Sequence, residues 1–261
     1  MTFYDDLSKK VKIKEKDLLP RRYNLLGKIL LVKLKPELFR YRRRIGKAIL
    51  ELIPYVHTVC LDNGVSGKTR KPSIEVIAGC KDTETLHTEY GCKFFLDVSQ
   101  NMWSKGNKGE RARMKKIKKG EVIIDMFAGI GYWSVFVAKN AKKVYAIDIN
   151  PKAIKYLEKN IWINKVENKV EVLKGDCRKY SDLLENTGDR IIMGYFDTKK
   201  FLPYAVKMAK KNAIIHYHDV CPIDKLEELK NYVSKFGKII DVRKIKSYSP
   251  KVAHFVIDLR V

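Results

Sequence analysis

The sequence predicts an α/β fold in which a parallel, doubly wound sheet is preceded by a small α+β domain. Beyond residue 99, apolar runs with strand character alternate with helical patterns, which is the order typical of parallel sheets. Before that point, short strand patterns surround one helical pattern and are separated by glycine-containing turns. With 261 residues, of which 45% are hydrophobic, the chain can bury a core in one large domain or two modest ones.

The composition limits the class of partner. A surplus of 54 Lys and Arg over 30 Asp and Glu gives a net charge of +24. This charge favours nucleic acid, although a basic, solvated surface is the alternative and charge does not separate DNA from RNA. The five cysteines form no C-x-x-C pair, so reduced thiols are expected rather than a zinc module or a disulfide framework. The N-terminus shows no apolar signal core, and a soluble, cytoplasmic protein is expected.

Residues 1–17 are polar and lysine-rich and are expected to form a loose lead-in or a short helix. The small α+β domain is expected over residues 18–98, with its first strand at Lys28–Leu34 and a helix opened by Pro36. The helix is predicted to bury a stripe of apolar residues: Leu38, Tyr41, Ile45, Ile49 and Leu52. Further strands are expected at Thr58–Leu61, Ser73–Ile77, Thr85–Tyr90 and Lys93–Val98.

Residues 99–261 are expected to form the larger domain, which carries the candidate site. A stretch rich in glycine and lysine, KGNKGERARMKKIKKG, leads into five strand patterns: 121–127, 143–149, 169–175, 189–196 and 212–220. Two further strands, within 238–249 and 252–261, are joined by a turn rather than a helix. Because ligands of such sheets bind at the carboxyl ends of the strands, the residues that follow each strand are the candidate site.

The first strand of this sheet ends in the motif D-x-F-x-G-x-G. Asp125 begins the motif, and Gly129 and Gly131 let the backbone turn tightly and approach a ligand without a Cβ in the way. The third glycine of a dinucleotide-binding motif is missing, so the loop alone is also compatible with an ordinary turn between a strand and a helix.

Acidic residues end the next two strands. Asp148 is placed where a carboxylate can accept both ribose hydroxyls of an adenosine, and Asn150 is the better candidate for capping the following helix. Asp176 can accept from the adenine amino group, and the backbone at Cys177 can line the ring. Three such strand ends in order predict a nucleoside pocket of the S-adenosylmethionine (SAM) type, with a generic Rossmann pocket for another ligand as the alternative.

Five segments resemble a known family. They are FFLDVSQNMWSKGNKGERARM, DMFAGIGYWSVFVAK, YAIDINPKAIKYLEKNIWINKV, GDCR and SYSPKVAHFVIDLRV. Together they are similar to the tRNA guanine-37 N1-methyltransferases and the related wybutosine-synthesizing transferases, over about residues 18–261. The resemblance implies a class I SAM-dependent, Rossmann-like methyltransferase fold, SAM as the donor substrate, no metal, and tRNA as the partner.

The fourth strand of the sheet separates the two branches of this family. The methyltransferases have an Asn followed by Leu-Pro or Pro-Pro at its end, whereas Gly194 and Tyr195 stand here and resemble the wybutosine-synthesizing branch. The resemblance then implies transfer of the 3-amino-3-carboxypropyl group of SAM to C7 of 4-demethylwyosine at position 37 of tRNA(Phe), with release of methylthioadenosine. A guanine-37 N1-methyltransferase and a SAM-pocket protein that only binds RNA are the alternatives.

The resemblance also suggests roles for four side chains. Ser104 and Arg111 would contact the methionine arm of SAM, with a tRNA phosphate as the other possible ligand of Arg111. Glu110 would orient Arg111 or handle a proton, or else be a surface carboxylate. Tyr195 would stack on the target base. The family has Pro where Lys105 stands, which leaves the local loop geometry open.

Other residues give weaker signals. His216 and His218 share one side of a strand and, with Asp219, suggest a metal site, but a structural role is favoured because no third ligand group appears. His254 is expected to stand alone as a structural histidine. The tRNA-facing surfaces are expected at the two basic runs, Lys105–Lys119 and Arg40–Arg44, and a monomer is expected.

Overall fold

The computed structural model describes residues 2–67 and 71–261. The chain forms two compact units, of which the first ends at Lys105 and the second is Gly106–Val261. Within the described ranges, no helix is both long enough and apolar enough to cross a lipid bilayer.

The first unit contains a four-stranded sheet and a separate two-stranded sheet. Its helices are α1 (Phe3–Lys10) and α2 (Arg42–Leu52). Its strands are β1 (Asn24–Leu26), β2 (Ile29–Val32), β3 (Thr58–Ser66), β4 (Lys71–Gly79), β5 (Glu84–Glu89) and β6 (Cys92–Asp97). The four-stranded sheet has the order β1-β2-β3-β4, and β5 pairs with β6. Among the described residues, β1 is the one strand of this unit that the sequence did not predict.

Helix α2 packs its apolar stripe into the core of the first unit. Ile45 and Ile49 are fully buried, and Leu38 is buried in the short 3-10 turn that precedes the helix. Tyr41 and Leu52 are only half-buried, so the buried stripe is narrower than the periodicity predicted. At the N-terminus, the lead-in forms the short helix α1, and a capping box between Thr2 and Asp5 fixes its start.

The second unit is built on one seven-stranded sheet. Its strands are β7 (Val122–Asp125), β8 (Lys143–Asp148), β9 (Val170–Lys174), β10 (Gly188–Met193), β11 (Ala209–Pro222), β12 (Lys238–Ser247) and β13 (Val252–Arg260). Its helices are α3 (Lys108–Met114), α4 (Ser134–Ala138), α5 (Pro151–Ile163), α6 (Leu202–Met208) and α7 (Leu226–Val233). All seven predicted strand patterns of this part of the chain are confirmed.

The strand order is β12-β13-β11-β10-β7-β8-β9. Strands β7 to β11 pair in parallel, and β13 runs antiparallel between β11 and β12. The predicted α/β class and the final pair of strands joined by a turn are therefore confirmed. The chain moves outward from β7 to β9 and then returns to β10 beside β7. This reversal places the crevice at the carboxyl ends of β7 and β10.

The turn between β1 and β2 requires glycine. Gly27 has a φ of +54°, and a Cβ there would lie 2.2 Å from Thr85 Oγ1 and 2.4 Å from the Leu86 carbonyl oxygen. We expect Gly27→Ala to lower the free energy of unfolding by about 2–4 kcal/mol, through backbone strain and this overlap together. Urea unfolding measures the change.

Gly91→Ala is the matched control. Gly91 also has a positive φ, of +74°, but a Cβ there meets nothing within 4 Å. It should cost only the backbone strain of about 1–2 kcal/mol. An equal decrease in the free energy of unfolding in the two variants would contradict the predicted overlap at Gly27.

Candidate functional site

The loop after β7 turns on two glycines with left-handed backbone. Gly129 has a φ of +57° and Gly131 a φ of +95°. A Cβ on Gly129 would lie 2.7 Å from the Tyr132 ring, and one on Gly131 would lie 2.9 Å from the Val135 side chain. The loop therefore depends on glycine at both positions, as predicted.

Asp125 holds this loop to the next helix. Its side chain is fully buried, and its Oδ2 accepts from the Ser134 hydroxyl at 2.6 Å and from the Ser134 amide at 3.2 Å. Burial raises the pKa of Asp125 to about 7, against the opposing effect of these hydrogen bonds. The carboxyl faces the interior of the unit, so it shapes the loop, and its direct contact with a cofactor stays a prediction.

Asp148 joins the end of β8 to the glycine loop. Its Oδ2 accepts from the Gly129 amide at 2.7 Å and its Oδ1 from the Asn150 amide at 2.8 Å. Burial raises the pKa of this half-buried carboxyl. Each carboxylate oxygen has two lone pairs, so Asp148 can still accept from a vicinal diol. Asn150 caps α5 by accepting from the Lys152 amide at 3.0 Å.

Ile149 is a candidate residue that the sequence analysis missed. It follows Asp148 directly, and 71% of its surface is exposed although it is a large apolar residue. An apolar surface next to a diol acceptor suits the face of a planar heterocycle. Its position in the sequence could have identified it. An apolar residue just beyond the end of a strand lies at the edge of the sheet where ligands bind, rather than in the core.

Asp176 follows β9 at the same edge of the sheet. The adjacent Gly175 amide donates to the Asp148 carbonyl oxygen at 2.9 Å, which ties the ends of β8 and β9 together. Asp176 forms an ion pair with Arg178, and the hydrogen bond from that guanidinium lowers the pKa of Asp176. Cys177 is buried, and burial raises the pKa of its thiol to about 12, so the side chain is an uncharged core group.

Aromatic rings gather at the end of β10. The Tyr195 ring lies 5.8 Å from the Phe127 ring and is stacked with the Phe196 ring at 6.3 Å. Gly194 lies against Trp133, because a Cβ on Gly194 would be 2.1 Å from the indole Nε1. These rings offer a flat apolar surface to a base at the carboxyl edge of the sheet.

Helix α3 carries both of the predicted polar residues, Glu110 and Arg111, in buried positions. The Glu110 carboxylate accepts from Arg113 Nε at 3.1 Å and lies 3.6 Å from Arg243 Nε. Glu110 therefore is not a surface carboxylate, and Arg113 is the arginine that it orients. Burial and then the charge of Asp148 raise the pKa of Tyr132, and the charge of Arg111 opposes this shift.

A buried chain of charged groups supports α3. His216 Nε2 lies 2.6 Å from an Arg190 guanidinium nitrogen, and its Nδ1 lies 2.6 Å from Asp258 Oδ1 and 3.0 Å from an Arg113 guanidinium nitrogen. Burial lowers the pKa of His216. Burial also pulls the pKa of Asp258 upward, but the His216 hydrogen bond and the arginines hold it well below its usual range. Arg113 donates to Asp258 at 3.1 Å and so links this chain to α3.

The second histidine of this strand has a different partner. His218 Nδ1 lies 3.1 Å from His254 Nε2, so His254 does not stand alone as the sequence suggested. The His216 and His218 side chains contact different residues, Arg190 and Asp258 for the first and His254 for the second. In residues 2–67 and 71–261, no three His, Cys, Asp or Glu side chains converge as metal ligands.

Ser104 belongs to the first unit and is half-buried. Its neighbour Trp103 is anchored in that unit, with ring centroids 4.9 Å from both His87 and Phe94. The role of Ser104 at the methionine arm stays a prediction. The basic face of the first unit, Arg40, Arg44 and Lys47, is exposed as expected.

Two family models match the chain, and the boundary between them lies inside the first unit. Residues 85–246 match the TRM5/TYW2 methyltransferase domain, and residues 4–83 match the TYW2 N-terminal domain.

Among known proteins, the tRNA(Phe) (4-demethylwyosine(37)-C(7)) aminocarboxypropyltransferase of Pyrococcus horikoshii is 41% identical, over 98% of this chain and 94% of that protein. The enzyme of the same name from Methanocaldococcus jannaschii is 45% identical, over 75% of this chain and 82% of that protein. The tRNA (guanine(37)-N(1))-methyltransferase Trm5b of Pyrococcus abyssi is 38% identical, over 93% of this chain and 76% of that protein.

Two solved structures have the same fold. That of P. horikoshii TYW2 in complex with MeSAdo has a TM-score of 0.85 and 37% identity, covering 98% of this chain and 96% of that chain. The complex of aTrm5 and tRNALeu has a TM-score of 0.85 and 33% identity, covering 100% and 78%. The predicted class I methyltransferase fold and the family resemblance are confirmed.

The contact between Asp148 and the glycine loop generates a binding prediction. We expect Asp148→Ala to weaken SAM binding roughly 10- to 100-fold, because the variant loses the diol acceptor and leaves the Gly129 amide without its partner. Calorimetric titration with SAM measures the change, and Asp182→Ala, at an exposed carboxylate of the same unit, is the control. An affinity equal to that of the native chain would refute the ribose assignment.

The buried carboxyl of Asp125 generates a pH prediction. Its pKa is about 7 in the folded chain against 3.8 ordinarily, so the folded state retains a proton that the unfolded state releases between these values. Stability contributed by this group is therefore lost as the pH rises from about 4 through about 7. Asp125→Asn cannot ionise, and we expect its stability relative to the native chain to be greater at about pH 8 than at about pH 5. Urea unfolding at both pH values would show no such difference if the native carboxyl titrates normally.

Proposed function

Because the chain belongs to the TRM5/TYW2 methyltransferase family, we propose that it is a SAM-dependent tRNA 3-amino-3-carboxypropyltransferase. It transfers this group from SAM to C7 of 4-demethylwyosine at position 37 of tRNA(Phe) and releases methylthioadenosine, a step in the formation of wyosine derivatives. One observation carries the proposal: the match to the P. horikoshii aminocarboxypropyltransferase extends over 98% of this chain and 94% of that enzyme. Trm5b of P. abyssi matches over 76% of its length.

The carboxyl ends of the parallel strands fit the adenosyl part of SAM. Asp148 accepts from the ribose hydroxyls and holds the glycine loop through the Gly129 amide, and a Cβ on Gly129 or Gly131 would disrupt that loop. Ile149 packs on the adenine ring. Asp176 at the end of β9 supplies an acceptor for the adenine amino group, since a carboxylate already paired with one arginine retains acceptor capacity.

The methionine arm of SAM needs a partner for its carboxylate. Arg111 supplies a planar fork of donors, and its place on α3 is fixed by the ion pairs of Glu110 and Arg113. A bidentate contact would hold the arm in one torsional state. This control matters because the methyl and the γ-carbon are bonded to the same sulfur, and the carbon that faces the base in line is the one transferred.

The reaction forms a bond between C7 of the base and the γ-carbon of the arm and breaks the bond between that carbon and sulfur. SAM supplies the electrophile and, as a sulfonium, an already activated leaving group. Tyr195 and Phe127 hold the tricyclic base by stacking, and Gly194 adds no side-chain acceptor at the strand end. The proton lost from C7 requires an acceptor, and Glu110 is the proposed group for this step.

The tRNA contacts the protein through basic surfaces. Arg44 and Lys47 are exposed on α2 of the first unit, and Lys118 and Lys119 are exposed in the second unit. Such phosphate contacts provide affinity and strong salt dependence without base specificity. The enzyme acts as a monomer, which sedimentation of the chain would test.

A two-label experiment tests the proposed reaction. The chain is incubated with SAM that carries label in the methyl carbon or in the carboxyl carbon, and with tRNA(Phe) that carries either guanosine or 4-demethylwyosine at position 37. We expect carboxyl label to enter only the tRNA with 4-demethylwyosine. Formation of methylthioadenosine in equal amount confirms the stoichiometry.

The other outcomes identify the alternatives. Methyl label in the tRNA with guanosine would identify a guanine-37 N1-methyltransferase. No transfer to either tRNA, with SAM and tRNA both bound, would identify a binding protein. Heat-denatured enzyme and tRNA lacking position 37 serve as controls.

A further inference from the structure

Behind the Gly194–Phe196 segment lies a continuous set of buried ring contacts. The Trp133 ring is 5.2 Å from the His218 ring, His218 is hydrogen-bonded to His254, and the His254 ring is 4.9 Å from Phe196 at a nearly perpendicular angle. Trp133 also contacts Gly194, so the contacts form a closed ring. We name Trp133, His218, His254 and Phe196 the aromatic wall.

The aromatic wall draws on four parts of the second unit. Trp133 comes from the loop after β7, Phe196 from the loop after β10, His218 from β11 and His254 from β13. Trp133, His218 and His254 are each no more than 2% exposed. A displacement of any one ring must therefore move the others or open a cavity, because close-packed interiors do not deform freely.

Gly194 fits the aromatic wall only because it lacks a side chain. A Cβ there would lie 2.1 Å from Nε1 and 2.7 Å from Cδ1 of Trp133. The indole fills the space into which a side chain at position 194 would project. Trp133 thus excludes a side chain from position 194 and leaves the neighbouring Tyr195 as the main side chain at the end of β10.

The histidine pair is poorly suited to a purely structural role. Burial lowers the pKa of His218 to about 3, so the imidazole is neutral, and its Nε2 has no hydrogen-bond partner among the described residues. A buried polar atom without a partner costs free energy that an apolar side chain of similar size would avoid. Polar groups that reduce stability in this way are typical of functional sites.

We propose that Trp133 and the His218–His254 pair are specificity-determining positioning residues, which fix the Gly194–Phe196 segment so that the base held by Tyr195 meets the γ-carbon of SAM rather than its methyl. The inference rests on the proposed function. The physical basis is distance: the two carbons share one sulfur, and a misplacement of about 1 Å can change a rate by about 100-fold. The aromatic wall does not touch the reacting atoms but sets where the base lies.

The test compares two variants that break the aromatic wall with one that keeps only its hydrogen bond and one that lies outside it. Trp133→Leu removes the indole, and His254→Leu removes the hydrogen bond to His218 and the ring contact with Phe196. His254→Gln retains a hydrogen-bonding atom at similar reach. Trp162→Leu makes the same tryptophan substitution at a side chain that is 69% exposed on α5.

The readout is the ratio of carboxyl label to methyl label that enters tRNA(Phe) with 4-demethylwyosine, measured beside SAM affinity. We expect the ratio to fall about tenfold in Trp133→Leu and His254→Leu, with SAM still bound. It should stay within about twofold of native in His254→Gln, and Trp162→Leu should match the native chain. A loss of stability alone reduces both labels equally and leaves the ratio unchanged.

An unchanged ratio in both wall-breaking variants overturns the proposal. If either fails to fold or to bind SAM, Phe196→Leu replaces it, because this change removes the ring that contacts both His254 and Tyr195. The native chain in the same series separates the two hypotheses. Transfer of methyl label alone by the native chain would reject the proposed function, whereas a ratio that changes only in the variants supports the aromatic wall.

Discussion

The hydrogen bond from the Gly129 amide to the Asp148 carboxylate is the contact on which the site depends. It joins the loop after β7 to the end of β8, and the Gly175 amide extends the connection to β9 through the Asp148 carbonyl. Burial makes the charged carboxylate less favourable and therefore raises the pKa of Asp148. Amide donors from Asn150, Gly129 and Ile149 offset that cost, so one residue can organise three strand ends and still present free lone pairs.

A second constraint acts on helix α3. Helix α3 has seven residues, and a helix of this length has little stability of its own. Its position is set by buried ion pairs, in which Arg113 connects Glu110 to Asp258 and His216. Such a network is sensitive to the loss of any member, because an unpaired charge in the interior is strongly unfavourable. The placement of Arg111 therefore depends on residues far from it in sequence.

The sequence predicted the parallel sheet, its closing antiparallel pair and the glycine loop because each has a local signal. The alternation of strand and helix patterns predicts the parallel sheet, and two glycines separated by one residue predict the tight turn. The three-residue strand β1 was missed because it is too short to show a period. The partners of Glu110, His218 and His254 could not be predicted, since they depend on which strands become neighbours in space. Ile149 had a local signal in its position after a strand. Its exposed side chain distinguishes it from a core residue, but this exposure is known only once the end of the strand is known.

The position of β13 in the sheet has a consequence for biosynthesis. This strand lies between β11 and β12, yet it follows every other element of the second unit in sequence. It brings His254 to the aromatic wall and Asp258 to the charge network. While the nascent chain leaves the ribosome, the earlier strands have an open edge at β11, and the crevice lacks two of its supports. These two supports can therefore form only after β13 has been translated.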